Sequence, residues 1–219
     1  VAPESDCYEI LSFDINVSIL PEVFIAENIL ECDDNNDGIG SFDLNSLKDL
    51  EIAGHQNLND FDIFYYTSPF DAEDDQNRIS MPYVTQVPYA EELIYARIQA
   101  ANVPECFQVS SFSVQVFDTP NPTASSDMTF LSYCDDPSDG DDENGLYNFD
   151  LTEKAAEILN GQSPYVFDIE YYSDASYGNL IADPTNYVNS VPGGETIYAR
   201  VLNSNQNNVD CIAETSFFI

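Results

Sequence analysis

A segment rich in carboxylate and amide side chains, from Asp33 to Asp43, has the composition of a site for a hard cation. Oxygen-bearing side chains stand at alternate positions and Gly38 follows them, which is typical of calcium-binding loops. Leu44 stands where an EF-hand would carry its bidentate glutamate, so we predict a calcium loop between strands instead of an EF-hand. The predicted ligands are Asp33, Asn35, Asp37, the carbonyl oxygen of Ile39, and Asp43.

A second acidic segment, residues 135–150, has a similar composition with about five extra residues. Its Gly145 aligns with Gly38 and its Asp150 with Asp43, so we predict a second calcium loop here. The alternative is that both segments are solvated acidic turns, because Asp and Asn favour turns in any case. The predicted ligands of the second loop are Asp135, Asp136, Asp139, Asp142, Asn144 and Asp150.

Two similar stretches of the chain each contain one cysteine near the start and one before the last strand. This placement predicts the disulfides Cys32–Cys106 and Cys134–Cys211, and it leaves Cys7 for a partner in an upstream copy. The chain has no CxxC motif or Cys/His cluster, which argues against metal ligation by cysteine. The alternative is five free thiols. Disulfides indicate an oxidising, extracellular compartment.

Enzymatic activity is not expected. His55 is the only histidine and has no counterpart in the second stretch, so a nucleophile–histidine pair is missing from at least one copy. Carboxylates are so numerous that a chance pair carries no weight as a glycosidase signal. Arg97 and Arg200 share a Tyr-Ala-Arg context, and each is expected to pair with a carboxylate at the core edge. The alternative is an arginine that binds a ligand. Surface positions are predicted for Lys48, Arg78 and Lys154.

The charge of the chain excludes two classes of partner. Forty acidic residues against five Lys plus Arg give a net charge of −35. A nucleic-acid binder needs positive charge to neutralise phosphates, and an anionic membrane surface would repel this chain. Such a charge also destabilises the compact state unless cations relieve it, so calcium is the cofactor we predict.

Internal repetition defines the organisation of the chain. The motifs Cys-Asp-Asp, Phe-Asp-Leu, Tyr-Tyr and Ile-Tyr-Ala-Arg occur twice, in the same order and 102 to 107 positions apart. We predict the last strand of a preceding repeat at 1–20, one complete repeat at 21–119 and another at 120–219. The chain is thus expected to be a piece of a longer protein, with neighbouring repeats as partners of one another.

Within each repeat, apolar and polar residues alternate with the period of a half-buried strand, and Gly, Pro, Asn and Asp clusters separate the strands. Residues 111–117 are the clearest case. One short helix is expected in each repeat, from Asn45 to Ile52 and from Thr152 to Leu159, the latter capped by its threonine. The predicted fold class is all-β, with tandem immunoglobulin-like β-sandwich repeats that each carry one short helix.

The ordered set of motifs resembles the tandem repeats of very large surface proteins of Bacteroidetes-type gliding bacteria, which often end in a type IX secretion sorting domain. Those motifs are Cys-Asp-Asp, Asp-Gly, Phe-Asp-Leu, Tyr-Tyr, Ile-Tyr-Ala-Arg and the late cysteine. The resemblance implies export, cell-surface anchoring and a role in adhesion or gliding motility.

The leading hypothesis is therefore an extracellular, calcium-stabilised structural and adhesive repeat that acts as a stalk or as a multivalent adhesin segment. The alternative is a carbohydrate-binding module whose exposed tyrosines stack on surface polysaccharide, although the chain has no Trp. No nucleic acid and no direct membrane insertion are expected, since no apolar run approaches the roughly 18 residues of a membrane span.

Overall fold

The computed structural model of the chain describes residues 9–15, 17–135, 137, 141, 143–204 and 211–219. These residues form an all-β fold in two tandem copies, with a few short helices, as the sequence predicts. The strands are β1 (Ile29–Asp33), β2 (Ser41–Phe42), β3 (Phe61–Tyr66), β4 (Tyr83–Val84), β5 (Glu92–Ala100), β6 (Val103–Asp118), β7 (Asn148–Phe149), β8 (Phe167–Tyr172), β9 (Tyr187–Val188), β10 (Thr196–Asn203) and β11 (Ile212–Phe218).

The helices are short, and the first copy has one more than the sequence predicts. They are α1 (Leu44–Ala53), α2 (Pro69–Asp74) and α3 (Ala155–Ile158), the last preceded by a 3₁₀ turn at Leu151–Lys154. The extra helix, α2, begins at Pro69, and its N-cap is Ser68, whose side chain accepts a hydrogen bond from the backbone N–H of Asp71. Across the part of the chain that the structure describes, no helix is long and apolar enough to cross a membrane.

The larger sheets repeat one another. In the first, the strand order is β1-β6-β5-β3, and β1 runs parallel to β6. The second has the antiparallel order β11-β10-β8. Residues of β10 alternate between buried and half-buried positions along its whole length, as the pleat of a sheet with one buried face requires. Small two-stranded ladders, β2–β4 and β7–β9, accompany the two sheets.

Residue contacts group the chain into two compact units. The first comprises Val1–Glu27, Asp43–Met81 and Leu93–Phe112, and the second comprises Asn28–Phe42, Pro82–Glu92 and Ser113–Ile219. The acidic segment 33–42 therefore belongs to the same unit as the whole second repeat. Described residues 9–15 and 17–20 form no strand, and the predicted boundaries at 21–119 and 120–219 stay predictions.

Aromatic and branched aliphatic side chains fill the core of each unit. Ile52, Tyr65, Tyr66 and Ile98 are fully buried in the first unit. In the second, a cluster of buried apolar residues runs from Met128 to Ile219 and packs the short helical segment against β8, β10 and β11.

The structure contradicts the surface positions predicted for Lys48 and Lys154, because both lysines are buried. The Lys48 Nζ atom lies 2.9 Å from Glu51 Oε1 and 5.8 Å from the centre of the Phe112 ring. An ion pair and an aromatic face together compensate for removing an ammonium group from water. The same arrangement recurs in the second repeat with Lys154, Glu157 and Phe217.

Candidate functional site

The first acidic loop is held together by its own side-chain to backbone hydrogen bonds. Asp33, buried at the end of β1, accepts hydrogen bonds from the backbone N–H of Asn35 at 3.2 Å and of Gly38 at 2.6 Å. Gly38 has a φ of 80°, and a Cβ atom there would lie 2.7 Å from the Pro88 side chain. Only glycine can therefore occupy this position without rearrangement of its neighbours.

The other predicted ligands of this loop follow the same pattern. The side-chain oxygen of Asn35 accepts a hydrogen bond from the backbone N–H of Asp37 at 3.2 Å. Oδ1 of Asp37 accepts one from the N–H of Ile39 at 2.8 Å, and its Oδ2 accepts one from the Asn35 amide at 2.9 Å. The alternate spacing of oxygen groups therefore builds a series of Asx turns, which stiffen the loop.

Asn36 connects the loop to the residue that follows β6. Its side-chain nitrogen donates to the carbonyl oxygen of Thr119 at 2.9 Å, and its side-chain oxygen accepts from the Thr119 N–H at 2.8 Å. The hydroxyl of Tyr89 donates to the carbonyl oxygen of Asn36 at 2.8 Å. Asn36 adopts a left-handed φ of 54°, which Asn tolerates better than most residues. The loop is thus fixed to the start of the connection between the repeats.

The second acidic loop reproduces the central hydrogen bond of the first. Oδ2 of Asp135 accepts a hydrogen bond from the backbone N–H of Gly145 at 2.7 Å, as Asp33 does from Gly38. The bond spans ten residues here and five in the first loop, so the insertion expected from the alignment lies between these two anchors. Asn144 accepts from the N–H of Leu146 at 2.7 Å. The predicted ligands Asp136, Asp139 and Asp142 lie outside the described residues.

The last predicted ligand of each loop precedes a helix. Asp43 occupies the N-cap position of α1, without a side-chain capping bond. Asp150 caps the 3₁₀ turn, where its Oδ1 accepts hydrogen bonds from the N–H of Thr152 at 3.0 Å and from the hydroxyl of the same residue at 2.5 Å. The capping residue of the second helical segment is therefore Asp150, and the sequence prediction of Thr152 was wrong.

The geometry leaves calcium as an untested prediction. No group of three or more His, Cys, Asp or Glu residues suited to a metal ion occurs within the described ranges. The carboxylates of Asp33 and Asp37 already accept hydrogen bonds from the loop itself, which accounts for the shape of the first loop without a cation.

The disulfide prediction was wrong in its pairing. Cys32 is bonded to Cys211, 179 positions later, with a Cα–Cα distance of 5.4 Å. The strand register explains why Cys106 is not the partner. Cys32 on β1 lies beside Phe117 on β6, and Cys106 is eleven residues before Phe117 on that same strand, roughly 36 Å at the rise of an extended chain. A disulfide needs Cα atoms about 4.4 to 6.8 Å apart.

Cys106 and Cys134, both predicted to be bonded, are free thiols in this structure. Cys134 is exposed and Cys106 is partly exposed, whereas the bonded Cys211 is buried. Cys7 lies outside the described residues. Each repeat has one cysteine near its start and one before its last strand. The bond joins the early cysteine of the first repeat to the late cysteine of the second. Sequence reasoning missed it because pairing within a repeat uses the same equivalent positions.

The two arginines in the repeated motif differ in their partners. Arg200 pairs with Glu214 at 3.0 Å, as predicted. Arg97 is buried and donates instead to the carbonyl oxygens of Ala72, Glu73 and Pro104, so its predicted carboxylate partner is wrong. It thereby ties α2 to β5 and β6.

The acidic stretch 71–75 forms most of α2 and its C-cap. Its last residue, Asp75, forms a two-point ion pair with Arg78, with both nitrogen–oxygen distances at 2.6 Å. This hydrogen bonding from Arg78 lowers the pKa of Asp75 to about 2. The hydroxyl of Tyr66 also donates to Asp75 at 2.6 Å. The stretch is therefore a structural element of the first repeat.

Comparison with known families agrees with the disulfide and the repeats. The family model described as the Flavobacterium inter-domain disulphide bond domain matches the chain twice, at residues 28–122 and 130–219. Cys32 lies in the first matched segment and Cys211 in the second. No curated protein is similar enough to match the chain. A disulfide between the two segments suits an oxidising environment, extracellular or periplasmic.

Proposed function

The chain belongs to the family of Flavobacterium inter-domain disulphide bond domains, and on that premise we propose that it is a segment of an extracellular adhesive stalk in which every repeat is cross-linked to the next. The bond between Cys32 and Cys211 is the observation that carries this proposal. A covalent link between consecutive repeats serves a protein that must keep its length while it bears load. It has no evident use in an isolated binding module.

The proposed cross-links are staggered along the stalk. The early cysteine of each repeat bonds to the late cysteine of the following one, as Cys32 does to Cys211. Cys134 is then paired with the late cysteine of a repeat that follows, and Cys106 with the early cysteine of a repeat that precedes. Their exposure in the structure suits partners of this kind. Cys7 is the late cysteine of a still earlier copy and pairs in the same way.

The staggered bonds change how a pulling force is carried. Tension applied to the two ends of the chain enters at Cys32 and leaves at Cys211, so the residues between them are bypassed. Those residues are most of both repeats, and released as extended chain they would add about 600 Å. A stalk built in this way keeps its repeats folded under loads that would unfold an uncrosslinked repeat. Adhesion at a surface is a setting in which such loads arise.

Calcium is the second part of the proposal. The net charge of −35 is spread over a chain with only five Lys plus Arg, and divalent cations would relieve this repulsion. The acidic loops carry the oxygen groups for it, and weak sites of millimolar affinity suit the extracellular setting. Calcium in this proposal stiffens the two acidic loops and is a structural ion, with no catalytic role.

Thiol accessibility in the intact protein tests the cross-linking. The full-length protein on cells is treated with a thiol alkylating reagent before any reduction, and the cysteines are then mapped by mass spectrometry. We expect Cys106 and Cys134 to be protected in the full-length protein and alkylated in the isolated 219-residue chain. Alkylation of Cys134 in the full-length protein would show that disulfides between consecutive repeats do not continue beyond the Cys32–Cys211 bond.

Polysaccharide binding separates the stalk from the carbohydrate-binding module that is the alternative. The isolated chain is expected to show no saturable binding in a screen of surface polysaccharides. Saturable binding that is lost on substituting an exposed tyrosine such as Tyr165 would favour the binding module instead.

A further inference from the structure

Tyr89 has a backbone conformation that is unusual for a tyrosine. Its φ is 60°, in the left-handed region that residues with bulky side chains seldom adopt. Its backbone N–H donates to the carbonyl oxygen of Gly38 at 3.0 Å, and in the second repeat the N–H of Gly193 donates to Gly145 at the same distance. Gly193, with a φ of 84°, is therefore the counterpart of Tyr89. Backbone strain of this kind persists where surrounding contacts hold it, so the contacts of the Tyr89 side chain compensate for the strain.

The side chain of Tyr89 holds the first acidic loop in place. Its hydroxyl donates to the carbonyl oxygen of Asn36 at 2.8 Å. Its ring lies against Gly38, where an added Cβ atom would be 2.8 Å from a ring carbon. Partial burial raises the pKa of Tyr89 to about 12, with a further contribution from the carboxylate of Asp118. The hydroxyl is therefore a protonated donor at neutral pH, and the side chain contacts the loop at two residues.

The loop fixes Cys32 at one end of the disulfide. Asp33 follows Cys32 directly, and its carboxylate accepts the hydrogen bond from the backbone N–H of Gly38 at 2.6 Å. The Tyr89 ring lies against that same glycine, and the carbonyl oxygen of Tyr89 accepts a hydrogen bond from the side-chain amide of Gln115 on β6 at 2.9 Å. Tyr89 therefore joins the loop beside Cys32 to the strand that pairs with β1.

Cys211, at the other end of the disulfide, is held to the same strand. The backbone N–H of Asn203 donates to the carbonyl oxygen of Cys211 at 3.2 Å, and its side-chain amide donates to the carbonyl oxygen of Asp118 at 2.9 Å. Asp118 is the last residue of β6. Tyr89 and Asn203 line one cavity of about 380 Å³ together with Asp118. All of these residues belong to the second compact unit, so the end of β6 supports both cysteines.

We propose that Tyr89 is a positioning residue for the disulfide, and this inference rests on the proposed function. Its side chain holds the first acidic loop against the end of β6, so that the Cys32 thiol faces the Cys211 thiol before the bond forms. Two thiols held in bonding geometry have a high effective concentration, which favours the disulfide at equilibrium. With glycine at this position the backbone bonds to Gly38 and Gln115 remain, and the contacts of the ring and the hydroxyl are lost.

The equilibrium between the two thiols and glutathione tests this role in the 219-residue chain. Serine replaces the cysteines that could otherwise exchange, which are Cys7, Cys106 and Cys134. Formation of the Cys32–Cys211 bond then consumes one molecule of oxidised glutathione and releases two of reduced glutathione, which defines the equilibrium constant that is measured. The variants are Tyr89→Gly, which introduces the residue of the second repeat, and Tyr89→Phe, which keeps the ring and removes the hydroxyl.

A second tyrosine provides the matched control. Tyr177 also has a left-handed φ, of 55°, and its ring packs on Tyr172 and Tyr198. Tyr177→Gly therefore removes the same kind of backbone strain and a tyrosine ring without changing the loop beside Cys32. Urea unfolding of each reduced variant shows whether it is folded.

We expect Tyr89→Gly to lower the equilibrium constant about tenfold or more, and Tyr89→Phe to lower it less. Tyr177→Gly should leave the constant within about twofold of the parent value. In folded chains, a constant for Tyr89→Gly within about twofold of the parent value, or an equal loss for Tyr177→Gly, would overturn the assignment and leave the Cys32–Cys211 bond standing. If the parent chain forms no Cys32–Cys211 bond, the proposed function itself is contradicted, and the assignment with it.

Discussion

Cys32, near the end of the first strand of one repeat, is bonded to Cys211, immediately before the last strand of the next. Asp33, adjacent to Cys32, fixes the first acidic loop through Gly38, and Asn36 of that loop holds Thr119 in the connection between repeats. The side-chain amide of Asn203 donates to the carbonyl oxygen of Asp118 at 2.9 Å. The disulfide therefore lies within a set of polar contacts that join the end of β1 to the connection and to the second repeat.

Removing the disulfide should destabilise the oxidised chain. The bond closes a loop with its cysteines 179 positions apart, which the chain-entropy model values at about 5 kcal/mol. Cys211→Ser should therefore lower the urea midpoint strongly. Cys106→Ser, at the equivalent position in the first repeat, is the matched control and should leave the midpoint unchanged. Equal midpoints for the two variants would mean that the bond contributes nothing to stability.

Force spectroscopy should detect the mechanical bypass. When the oxidised chain is pulled from residues outside the disulfide, the extension should show no lengthening of the order of 600 Å before rupture. After reduction, unfolding events should release that length in steps. Unfolding steps that release about 600 Å of chain under oxidising conditions would contradict the load-bearing role proposed for Cys32–Cys211.

The two repeats provide a matched pair of buried tyrosines. The Tyr65 hydroxyl donates to Asp49 Oδ1 at 2.6 Å, and burial together with this bond raises the pKa of Tyr65. In the second repeat Ala155 stands at the position of Asp49, and the buried Tyr171 hydroxyl has no hydrogen-bond partner among the described residues. Tyr65→Phe should cost about 1 to 2 kcal/mol because Asp49 loses its donor, whereas Tyr171→Phe should be neutral or stabilising.

Urea unfolding of the two variants measures this difference. A greater loss of stability for Tyr171→Phe than for Tyr65→Phe would contradict the stabilising hydrogen bond between Tyr65 and Asp49. Asp49→Ala, which makes the first repeat resemble the second at this point, is the control and should abolish most of the effect of Tyr65→Phe in a double-mutant cycle.

The repeated sequence motifs predicted the tandem all-β fold, and they predicted the acidic loops as equivalent elements. Both predictions rest on local features of the sequence. These are the alternation of apolar and polar residues along β10 and β11 and the spacing of Asp and Gly in the loops. The five-residue insertion could also be located, because the Asp33–Gly38 bond has a direct counterpart in Asp135–Gly145.

The disulfide partner could not be predicted in the same way, because equivalent cysteines permit pairing within a repeat or between neighbours. The strand register of β1 against β6 decides between them, and it depends on long-range packing. The burial of Lys48 was missed for a related reason. Its partners Glu51 and Phe112 come together only when α1 packs on β6.

Calcium should stabilise the chain if the acidic loops bind it. A cation bound only to the folded state adds about 2.7 kcal/mol when its concentration is a hundred times the dissociation constant. The thermal midpoint should then rise with calcium and fall on chelation, at matched ionic strength and with magnesium as the control. The variant Asp33→Ala, Asp37→Ala, Asp43→Ala should lose the response. An unchanged midpoint in the parent chain would mean that hydrogen bonds alone hold the loops.

Disulfide mapping of the oxidised 219-residue chain tests the central claim most directly. The chain is cleaved without reduction by a protease specific for acidic residues, which has 40 sites, and the linked peptides are identified by mass spectrometry. We expect a peptide pair that joins Cys32 to Cys211, with Cys106 and Cys134 free in the monomer. Recovery of Cys32 linked to Cys106, or of Cys134 linked to Cys211, would contradict the cross-linking of consecutive repeats.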